Sequence, residues 1–452
     1  MGNIFASIQS VLETVMLVLL ICAGLFLSIK LTFLQFRKFG YATKNTIGSI
    51  FSKNSHEKNA SGVSPFQAVA TAMAGTIGTG SIAGIATAIV AGGPGAVFWM
   101  WVSALLGMVT KYSEIVLSLY YREKNEKGEW VGGPMYYIKN GLKLKWLAAV
   151  FAVFAMVACL GTGNATQSNS IAVALDSTLG VDPLITGIVL TVIVGVVILG
   201  GVKRIAAVNE KMVPFMAVFF VVCAFAALII NIKEIPAAFA LIFKEAFSFK
   251  AAAGGAVGYG IMKAMQSGFS RGVFSNEAGL GSAPIAHAAS TTKDPVKQGL
   301  WGMFEVFFTT IIICTVSALV ILTTGFYGDG LDGAALSIQS FNSIIPGVGG
   351  IIVTVSTIFF ALSTILGWAY YGEVSTSYLF KKSKHCVTVY RLVYVVFVLI
   401  GAVLELKVVW DISVMMNTLM AIPNLIGIIG LYKVVVRLTK EHFEKKKTEI
   451  IE

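Results

Sequence analysis

The stretch that decides the fold reads Ala74-Gly75-Thr76-Ile77-Gly78-Thr79-Gly80-Ser81. It lies inside an apolar run at 64–91, which is long enough to cross a bilayer, since a span needs about 20 mostly apolar residues. Three glycines and three hydroxyl residues make it a poor helix. Open backbone at bilayer depth is costly unless another group binds it. The stretch therefore predicts a broken helix with a binding site; close helix packing through Gly80 and Gly84 is the alternative.

The composition places this stretch in a membrane protein. Hydrophobic residues make up 56% of the 452-residue chain and charged residues only 13%, against about 25% in an ordinary soluble protein. So few charges cannot cover the surface of a soluble protein of this length. The composition argues against a disordered chain, a disulfide scaffold and a multidomain cytosolic enzyme.

Apolar runs of spanning length occur eleven times along the chain. They lie at roughly 10–34, 64–91, 95–120, 146–174, 183–200, 210–231, 254–287, 297–325, 348–378, 387–406 and 409–436. The runs are too continuous for the alternating strands of a membrane barrel. We therefore expect an all-α polytopic membrane protein with eleven transmembrane helices.

The basic residues predict how these helices are oriented. Cytoplasmic loops of membrane proteins carry the excess of Lys and Arg. With the N-terminus outside and the C-terminus in the cytoplasm, 27 of the 34 basic residues fall in inner loops or the tail. Charges scattered in this way predict a multi-pass protein of the cell membrane and no nucleic-acid partner. The Lys445–Lys447 tail is either a topology determinant or a contact for anionic lipid.

The spacing of cysteine and histidine residues and the absence of a nucleotide-binding motif give no sign of a bound cofactor. The five cysteines form no CxxC pair, and the four histidines are far apart, so neither a metal cluster nor a disulfide framework is predicted. Nucleotide-binding GxxxxGKS/T and HExxH motifs are absent, which disfavours an ATP-driven pump and a membrane metalloprotease. We expect no catalytic residues and no organic cofactor, and the sequence indicates no protein partner.

A second interruption is predicted in the seventh span, at Gln266-Ser267-Gly268-Phe269-Ser270-Arg271-Gly272. The chain crosses there in the direction opposite to the second span. Spans two to six and seven to eleven thus form two groups of five with opposite topology, each opening with a broken helix. Inverted repeats of this kind mark a secondary transporter, whose binding site lies where the broken helices meet. The predicted parts are an extra N-terminal helix and loop at 1–60, repeats at 61–232 and 233–440, and a basic tail at 441–452.

The chemistry of the first break suits an anion and a cation together. The N-terminus of a half-helix presents free N–H groups to a carboxylate, and Thr79, Gly80 and Ser81 are the candidate donors. Ala74 and Ile77 are candidates to present carbonyl oxygens to a small hard cation. The stretch 75–81 has no formal charge, so each ligand compensates the other, and linkage requires that each tighten the other.

Further polar residues lie within the fourth and ninth spans. Asn164 and Gln167 share a helix face and are predicted either to contact substrate or to bond between helices. Phe360, Ser363 and Thr364 also share a face and predict an oxygen cage opposite the second span, although back-bonding to the same helix is the common alternative. Trp368, one turn further on, is a candidate pocket wall.

Charged residues at membrane depth are functional candidates by default. Lys111 and Glu114 are three residues apart on one predicted helix, and we expect them to pair. Arg271 and Glu277 flank the second predicted interruption and are candidates for a gate or a brace.

Several motifs together resemble the signature of the alanine or glycine:cation symporter family. They are Gly75–Ser81, Gly92-Gly93-Pro94-Gly95-Ala96-Val97-Phe98-Trp99-Met100-Trp101 with Val102–Gly107, Gly132-Gly133-Pro134-Met135-Tyr136-Tyr137, and Phe274–Pro284. The resemblance implies a sodium-driven symporter of alanine or glycine with the leucine-transporter type fold, preceded by one extra helix. A proton-coupled amino-acid transporter and a channel are the alternatives; no repeated pore loop favours the channel.

The resemblance also implies where the ligands bind. The implied sodium ligands are Ala74, Ile77, Phe360, Ser363 and Thr364. The candidate substrate-binding residues are Gly75, Thr76, Gly78, Thr79, Gly80, Ser81, Asn164, Gln167, Phe269, Ser270 and Trp368. The substrate carboxylate is expected at Thr79 and Gly80, and the substrate side chain near Phe269 and Ser270.

Overall fold

A computed structural model describes residues 2–50, 63–248, 259–380, 383–404 and 406–451 of the chain. Part of the predicted first loop, 51–60, and the start of the predicted seventh span, 254–258, lie outside the described residues. The described chain is helical apart from turns, loops and one small hairpin, which confirms the expected all-α class. The N-terminal helices are α1 Gly2–Lys30, α2 Leu34–Arg37, α3 Phe39–Asn45 and α4 Ile47–Ile50.

The next part of the chain, up to residue 230, contains the first helix break and the hairpin. Its elements are α5 Pro65–Thr76, α6 Ala83–Gly92, α7 Ala96–Tyr120, β1 Glu123–Lys124, β2 Trp130–Val131, α8 Pro134–Tyr137, α9 Lys145–Leu160, α10 Thr166–Leu179, α11 Pro183–Leu199 and α12 Gly201–Ile230. The strands β1 and β2 pair antiparallel. The π-helical segments Ile138–Leu142 and Gly161–Ala165 precede α9 and α10.

The remaining helices contain the second break. They are α13 Ile235–Ala246, α14 Tyr259–Asn276, α15 Ala283–Ala288, α16 Pro295–Val306, α17 Thr315–Thr324, α18 Gly333–Ile344, α19 Gly349–Leu379, α20 Lys384–Val403, α21 Leu406–Gly430 and α22 Tyr432–Ile451. The π-helical segment Phe307–Cys314 joins α16 to α17. Short 3-10 turns lie at Thr79–Ser81, Ile232–Glu234 and Phe326–Gly328.

The first helix break lies where the sequence predicts it. Helix α5 begins with a capping box, because Ser64 accepts from the Gln67 N–H (3.1 Å) and the Gln67 side chain accepts from the Ser64 N–H (3.0 Å). The helix ends at Thr76, and Gly78 is extended with φ −105° and ψ −167°. A 3-10 turn follows before α6 begins at Ala83. The broken helix predicted over 75–81 is therefore confirmed.

The second break lies later than predicted. Helix α14 runs without interruption through 266–272, and the chain leaves the helix at 277–282. The small residues of 266–272 serve packing, since a Cβ on Gly268 would lie 2.3 Å from the carbonyl oxygen of Ala96 on α7. A Cβ on Gly272 would lie 3.0 Å from Ser103 Oγ of the same helix. These glycines let two helices approach closely, while the break needs the positive φ found beyond Asn276.

Long helices and apolar outer faces confirm a multi-pass membrane protein. Within the described residues, seven helices have the length and composition of a membrane span, or eight if the bent pair Met415–Gly430 and Tyr432–Lys445 is one span. Broken helices fall below that length individually, so the predicted total of eleven stays a prediction. Helices α11, α12 and α20 expose apolar side chains such as Val192, Val218 and Val396. Helix α19, by contrast, is central and packs against α5, α9, α10, α12 and α18.

Candidate functional site

The end of α5 packs directly on α19. A Cβ on Gly367 would lie 3.0 Å from the Gly75 nitrogen and 3.1 Å from the Thr71 carbonyl oxygen. Glycine at 367 therefore permits the two backbones to approach closely at the point where α5 ends. This approach brings the backbone of the first break within reach of the α19 side chains one turn earlier in the sequence.

Oxygen atoms from the first break and from α19 converge beside this contact. Thr364 Oγ1 lies 2.9 Å from the Ala74 carbonyl oxygen, and Ser363 Oγ lies 3.4 Å from it. Both hydroxyl oxygens also lie 2.9 Å from the Phe360 carbonyl oxygen. Each hydroxyl has a single proton and so cannot donate to both carbonyls. The cluster therefore has more acceptors than protons, which suits a bound cation.

The neighbouring backbone of the break closes over this cluster. A Cβ on Gly78 would lie 2.8 Å from Thr364 Oγ1, so the chain passes the hydroxyl without a side chain between them. Ile77 is buried and leaves the helical conformation with φ −84° and ψ 70°. Of the five residues implied as sodium ligands, the structure joins Ala74, Phe360, Ser363 and Thr364 by direct contacts, and Ile77 directly precedes the covering glycine.

Gln167 caps the first break from α10. Its Oε1 accepts from the Thr79 hydroxyl at 3.1 Å and from the Thr79 N–H at 3.4 Å. Its Nε2 donates to the Thr162 carbonyl at 3.1 Å. Asn164, predicted on the same face, donates instead to the Tyr394 carbonyl at 2.6 Å. In this structure Gln167 thus holds the 3-10 turn. The Asn164 amide makes a hydrogen bond between helices, which was the alternative to substrate contact.

The first break meets the last turn of α14, just before the second break, at 80–81 and 274–275. A Cβ on Gly80 would lie 2.9 Å from Phe274 Cδ1, and Ser81 Oγ lies 3.3 Å from Ser275 Oγ. Sequence reasoning missed Phe274 and Ser275 as site residues, although they lie in the Phe274–Pro284 motif. The signal was their position four to seven residues before the glycines at 279 and 281.

Phe269 and Ser270 lie earlier on α14 than this meeting point. The Phe269 ring has its centroid 6.4 Å from that of Trp99 on α7, and it borders a small cavity lined by residues of α1, α7 and α14. Ser270 is half-buried, one helical turn before Phe274. The structure therefore places these two predicted residues at the α7 side of α14.

Trp368 forms a wall between the π-helical segment and the second break. A Cβ on Gly163 would lie 2.2 Å from Trp368 Cβ, so the π-helical segment packs directly on this side chain. The indole Nε1 donates to Glu277 Oε1 at 2.8 Å. The pocket wall predicted from α19 is thus in contact with both α9–α10 and the second break.

Buried polar atoms without a partner mark the same region. Among the residues that the structure describes, Thr162 Oγ1, Asn164 Oδ1 and Tyr371 Oη are buried and have no hydrogen-bond partner. The Tyr371 oxygen lies 2.7 Å from where a Cβ on Gly75 would be. Leaving a buried polar atom unpaired costs about 1–3 kcal/mol, so the Tyr371 oxygen beside the first break is a candidate contact for a polar ligand. Sequence reasoning missed Tyr371 because a tyrosine in an apolar span resembles ordinary core.

A fully buried charge network holds the end of α14. Lys111 Nζ lies 3.0 Å from Glu305 Oε2 and donates to the Asn276 carbonyl at 2.9 Å. His287 Nε2 lies 2.7 Å from Glu305 Oε1. The expected Lys111–Glu114 pair is wrong, because Lys111 faces α16 and the end of α14, while Glu114 Oε1 accepts from Asn424 Nδ2 at 2.5 Å. Lys111 thus caps the last carbonyl before the second break.

Arg122 ties the hairpin to the loop after α15. It donates to the carbonyls of Ala288 (3.2 Å), Ser290 (2.5 Å) and Thr292 (2.6 Å). Its guanidinium carbon lies 4.3 Å from the Trp130 ring centroid. Burial lowers the pKa of the Arg122 guanidinium to about 10, so it remains charged at neutral pH. At neutral pH, the segment after the second break is therefore anchored to β2 by the charged Arg122 side chain.

These features together define a class of protein: a polytopic membrane transporter with a polar site between two broken helices. The sodium:alanine symporter family profile matches residues 1–452, and the chain belongs to this family. The family resemblance seen in the sequence motifs is thereby confirmed.

Relatives of known name agree with this assignment. The chain is 47% identical over 442 residues to a sodium/alanine symporter of Methanococcus maripaludis, covering 96% of this chain and 95% of that protein. It is 38% identical over 433 residues to a probable sodium/glutamine symporter of Bacillus subtilis, covering 96% and 88%. It is 36% identical over 464 residues to a putative sodium/proton-dependent alanine carrier protein of Bacillus subtilis, covering 99% and 93%.

A solved structure has a similar fold. The manganese transporter of Eremococcus coleocola superposes with a TM-score of 0.52 at 13% identity, covering 82% of this chain and 78% of that one. At this identity the likeness concerns the fold alone. The inverted repeat and the orientation of the termini stay predictions.

Proposed function

We propose that the protein imports a small neutral amino acid together with sodium by alternating access, with alanine as the main substrate and glycine as a second candidate. The observation that carries the proposal is the cluster of Ala74, Ser363 and Thr364 oxygens beside the first break. Family membership and the relatives named for sodium and alanine support it. Sodium is a transported ligand in this scheme.

The proposed sodium site consists of Ala74, Ile77, Phe360, Ser363 and Thr364. The substrate carboxylate binds the N–H groups of the 3-10 turn, near Thr79 and Gly80, where Gln167 now accepts from Thr79. When an amino acid binds there, its carboxylate oxygen replaces the Gln167 amide oxygen as the acceptor of the Thr79 N–H. Because this turn and two of the proposed sodium ligands, Ala74 and Ile77, belong to one uncharged stretch, each bound ligand stabilises the arrangement that the other needs.

Alternating access then uses the two predicted repeats, 61–232 and 233–440. The breaks allow the half-helices on either side to tilt about the site without exposing backbone to lipid. At about 100 mV, one co-transported charge supplies about 2.3 kcal/mol, or roughly 50-fold accumulation before the sodium gradient is counted.

Uptake into proteoliposomes tests the proposal. We expect alanine to accumulate when sodium is higher outside, and to accumulate further when the interior is made negative. If accumulation is unchanged without sodium but follows a pH gradient, transport is coupled to protons and not to sodium. Proton coupling is the alternative to test because one relative is named as a putative sodium/proton-dependent carrier. Sustained currents far above the turnover of a carrier would indicate a channel instead.

Competition by other amino acids tests the substrate assignment. The close contact of Gly80 with Phe274 leaves little room where the first break meets the end of α14, which favours a small substrate. Unlabelled alanine and glycine are therefore expected to compete with labelled alanine, and glutamine much less. Stronger competition by glutamine would contradict the choice of alanine, and the relative named for glutamine makes it the appropriate comparison.

Replacing Gly80 by leucine is expected to abolish uptake. Its Cβ would already lie 2.9 Å from Phe274 Cδ1, so the remaining atoms must enter the space between the breaks and block the substrate. Uptake of labelled alanine by purified, folded protein is the measurement. The control is Gly84→Ala in the same broken helix, where a Cβ would meet nothing within 4 Å. Normal uptake by the Gly80→Leu variant would contradict the proposed substrate position.

A further inference from the structure

Glu277 is the first residue of the second break, and its backbone is unusual. Its φ is +56°, a left-handed conformation that a residue with a Cβ adopts at a cost. Glycines adopt positive φ at positions 279 and 281 of the same break. Glycine would fit position 277 with less strain, so the glutamate side chain must contribute something that offsets it.

The Glu277 carboxylate is buried and is bound at both oxygens. Trp368 Nε1 donates to Oε1 at 2.8 Å, and Ser282 Oγ donates to Oε2 at 2.5 Å. Only 3% of the residue is exposed. Hydrogen bonds to an ionised acceptor are about twice as strong as neutral ones. The carboxylate thus links the first residue of the break to its last, Ser282, and attaches the break to α19 through Trp368.

The nearest buried cation has other partners. Lys111 Nζ is held by Glu305 Oε2 at 3.0 Å and by the Asn276 carbonyl at 2.9 Å. The direct hydrogen bonds to the Glu277 carboxylate therefore come from the two neutral donors, Trp368 and Ser282. This arrangement makes the position of the Trp368 indole depend directly on Glu277.

Helix α19 connects this bond to the first break. Trp368 lies four residues after Thr364, which is about 6 Å along the helix axis, and Thr364 Oγ1 reaches the Ala74 carbonyl. The two breaks are thus attached to neighbouring turns of one helix. A shift of Trp368 would alter both the pocket wall and the helix that carries the sodium-site hydroxyls.

We propose that Glu277 is a positioning residue for transport, which fixes the Trp368 indole as the pocket wall and couples the second break to α19. The proposal rests on the proposed transport function. Glu277 does not touch the substrate; it acts through Trp368. A brace that served folding alone would change the stability of the protein without changing its affinity for the substrate.

Three variants test the proposal in sodium-driven alanine uptake. Glu277→Ala is expected to raise the alanine KM by about tenfold or more, the effect of losing a hydrogen bond to a charged group, with a smaller change in maximal rate. Trp368→Phe keeps a ring but loses the N–H, and it should raise KM similarly. Glu277→Gln keeps a carbonyl oxygen for the indole N–H, so we expect its KM within about threefold of the native value.

The double variant Glu277→Ala/Trp368→Phe decides whether the two residues act as one unit. If they do, its KM is no worse than that of either single variant, since coupled residues are not additive. Additive effects, an unchanged KM in Glu277→Ala, or a Glu277→Gln variant as impaired as Glu277→Ala would each overturn the proposal.

Thermal unfolding separates this proposal from the proposed function. It is measured for the native protein, for Glu277→Ala, for Trp368→Phe and for the double variant. Non-additive shifts of the unfolding temperature measure the Glu277–Trp368 link without any substrate. If native protein accumulates no amino acid with sodium, the proposed function fails, whatever the unfolding data. If native protein transports and the unfolding shifts are additive, the positioning role of Glu277 fails while the proposed function stands.

Discussion

Thr364→Ala is expected to weaken sodium binding by about tenfold or more, because losing one interaction with a charged group costs about 1.5–3 kcal/mol. The hydroxyl lies 2.9 Å from the carbonyl oxygens of both Ala74 and Phe360, so its removal takes one oxygen from the middle of the cluster. Alanine affinity should fall with it at sodium concentrations below saturation, since linkage is reciprocal. Titrating alanine binding at a series of sodium concentrations measures both effects.

The matched control for this variant lies on the same helix. Thr376→Ala also removes a buried hydroxyl from α19, but that hydroxyl donates to the Gly372 carbonyl of its own helix at 2.8 Å. The Thr376→Ala variant should bind alanine with the same dependence on sodium concentration as the native protein. The assignment of the sodium site is wrong if Thr364→Ala binds alanine as tightly as the native protein at every sodium concentration.

Lys111→Met is expected to destabilise the protein by about 3–5 kcal/mol, the cost of removing one partner of a buried ion pair. Both side chains of the Lys111–Glu305 pair are fully buried, so the variant leaves the carboxylate without its cation. The Asn276 carbonyl at the end of α14 also loses its donor. We expect a markedly lower unfolding temperature in detergent, together with loss of uptake.

A second substitution distinguishes charge from packing in this effect. Lys111→Met/Glu305→Gln removes both charges and should recover part of the lost stability. Lys440→Met is the surface control, because its pair with Glu444 spans 3.7 Å between side chains that are 73% and 62% exposed; such pairs contribute about 0–1 kcal/mol. A Lys111→Met protein that unfolds at the native temperature would contradict this account.

Sequence patterns located the first break because its glycines and hydroxyls have no other use at that depth. The same reasoning failed at 266–272, where Gly268 and Gly272 serve contact with α7. Composition alone cannot distinguish a glycine at which a helix breaks from a glycine that lets a neighbouring helix pack closely. Backbone conformation separates them, as at Glu277, and a positive φ at a non-glycine residue has no signature in a single sequence.

Contacts between distant segments were predicted unevenly for a related reason. Spacings of three and four residues from Phe360 placed Ser363 and Thr364 on its face of the helix, and the structure brings both hydroxyls to the Ala74 carbonyl. The same spacing suggested a Lys111–Glu114 pair, but it says nothing about which neighbouring helix each side chain faces. Glu305 lies 194 positions from Lys111 in the chain, and only the packing of α7 on α16 joins them.

The π-helical segment Gly161–Ala165 has a consequence for how this part of the chain tolerates change in length. A π turn contains about one residue more than an α turn. Deleting one residue there would let the helix close into a regular α turn and leave the residues beyond it facing nearly the same way, because the shorter turn still completes one revolution. Gln167 would therefore stay directed at Thr79, to which it is bonded at 3.1 Å. Deleting one residue from the regular helix α9 would instead rotate the chain beyond it by about 100°, so we expect the fourth span to tolerate a one-residue deletion at the π turn and not within α9.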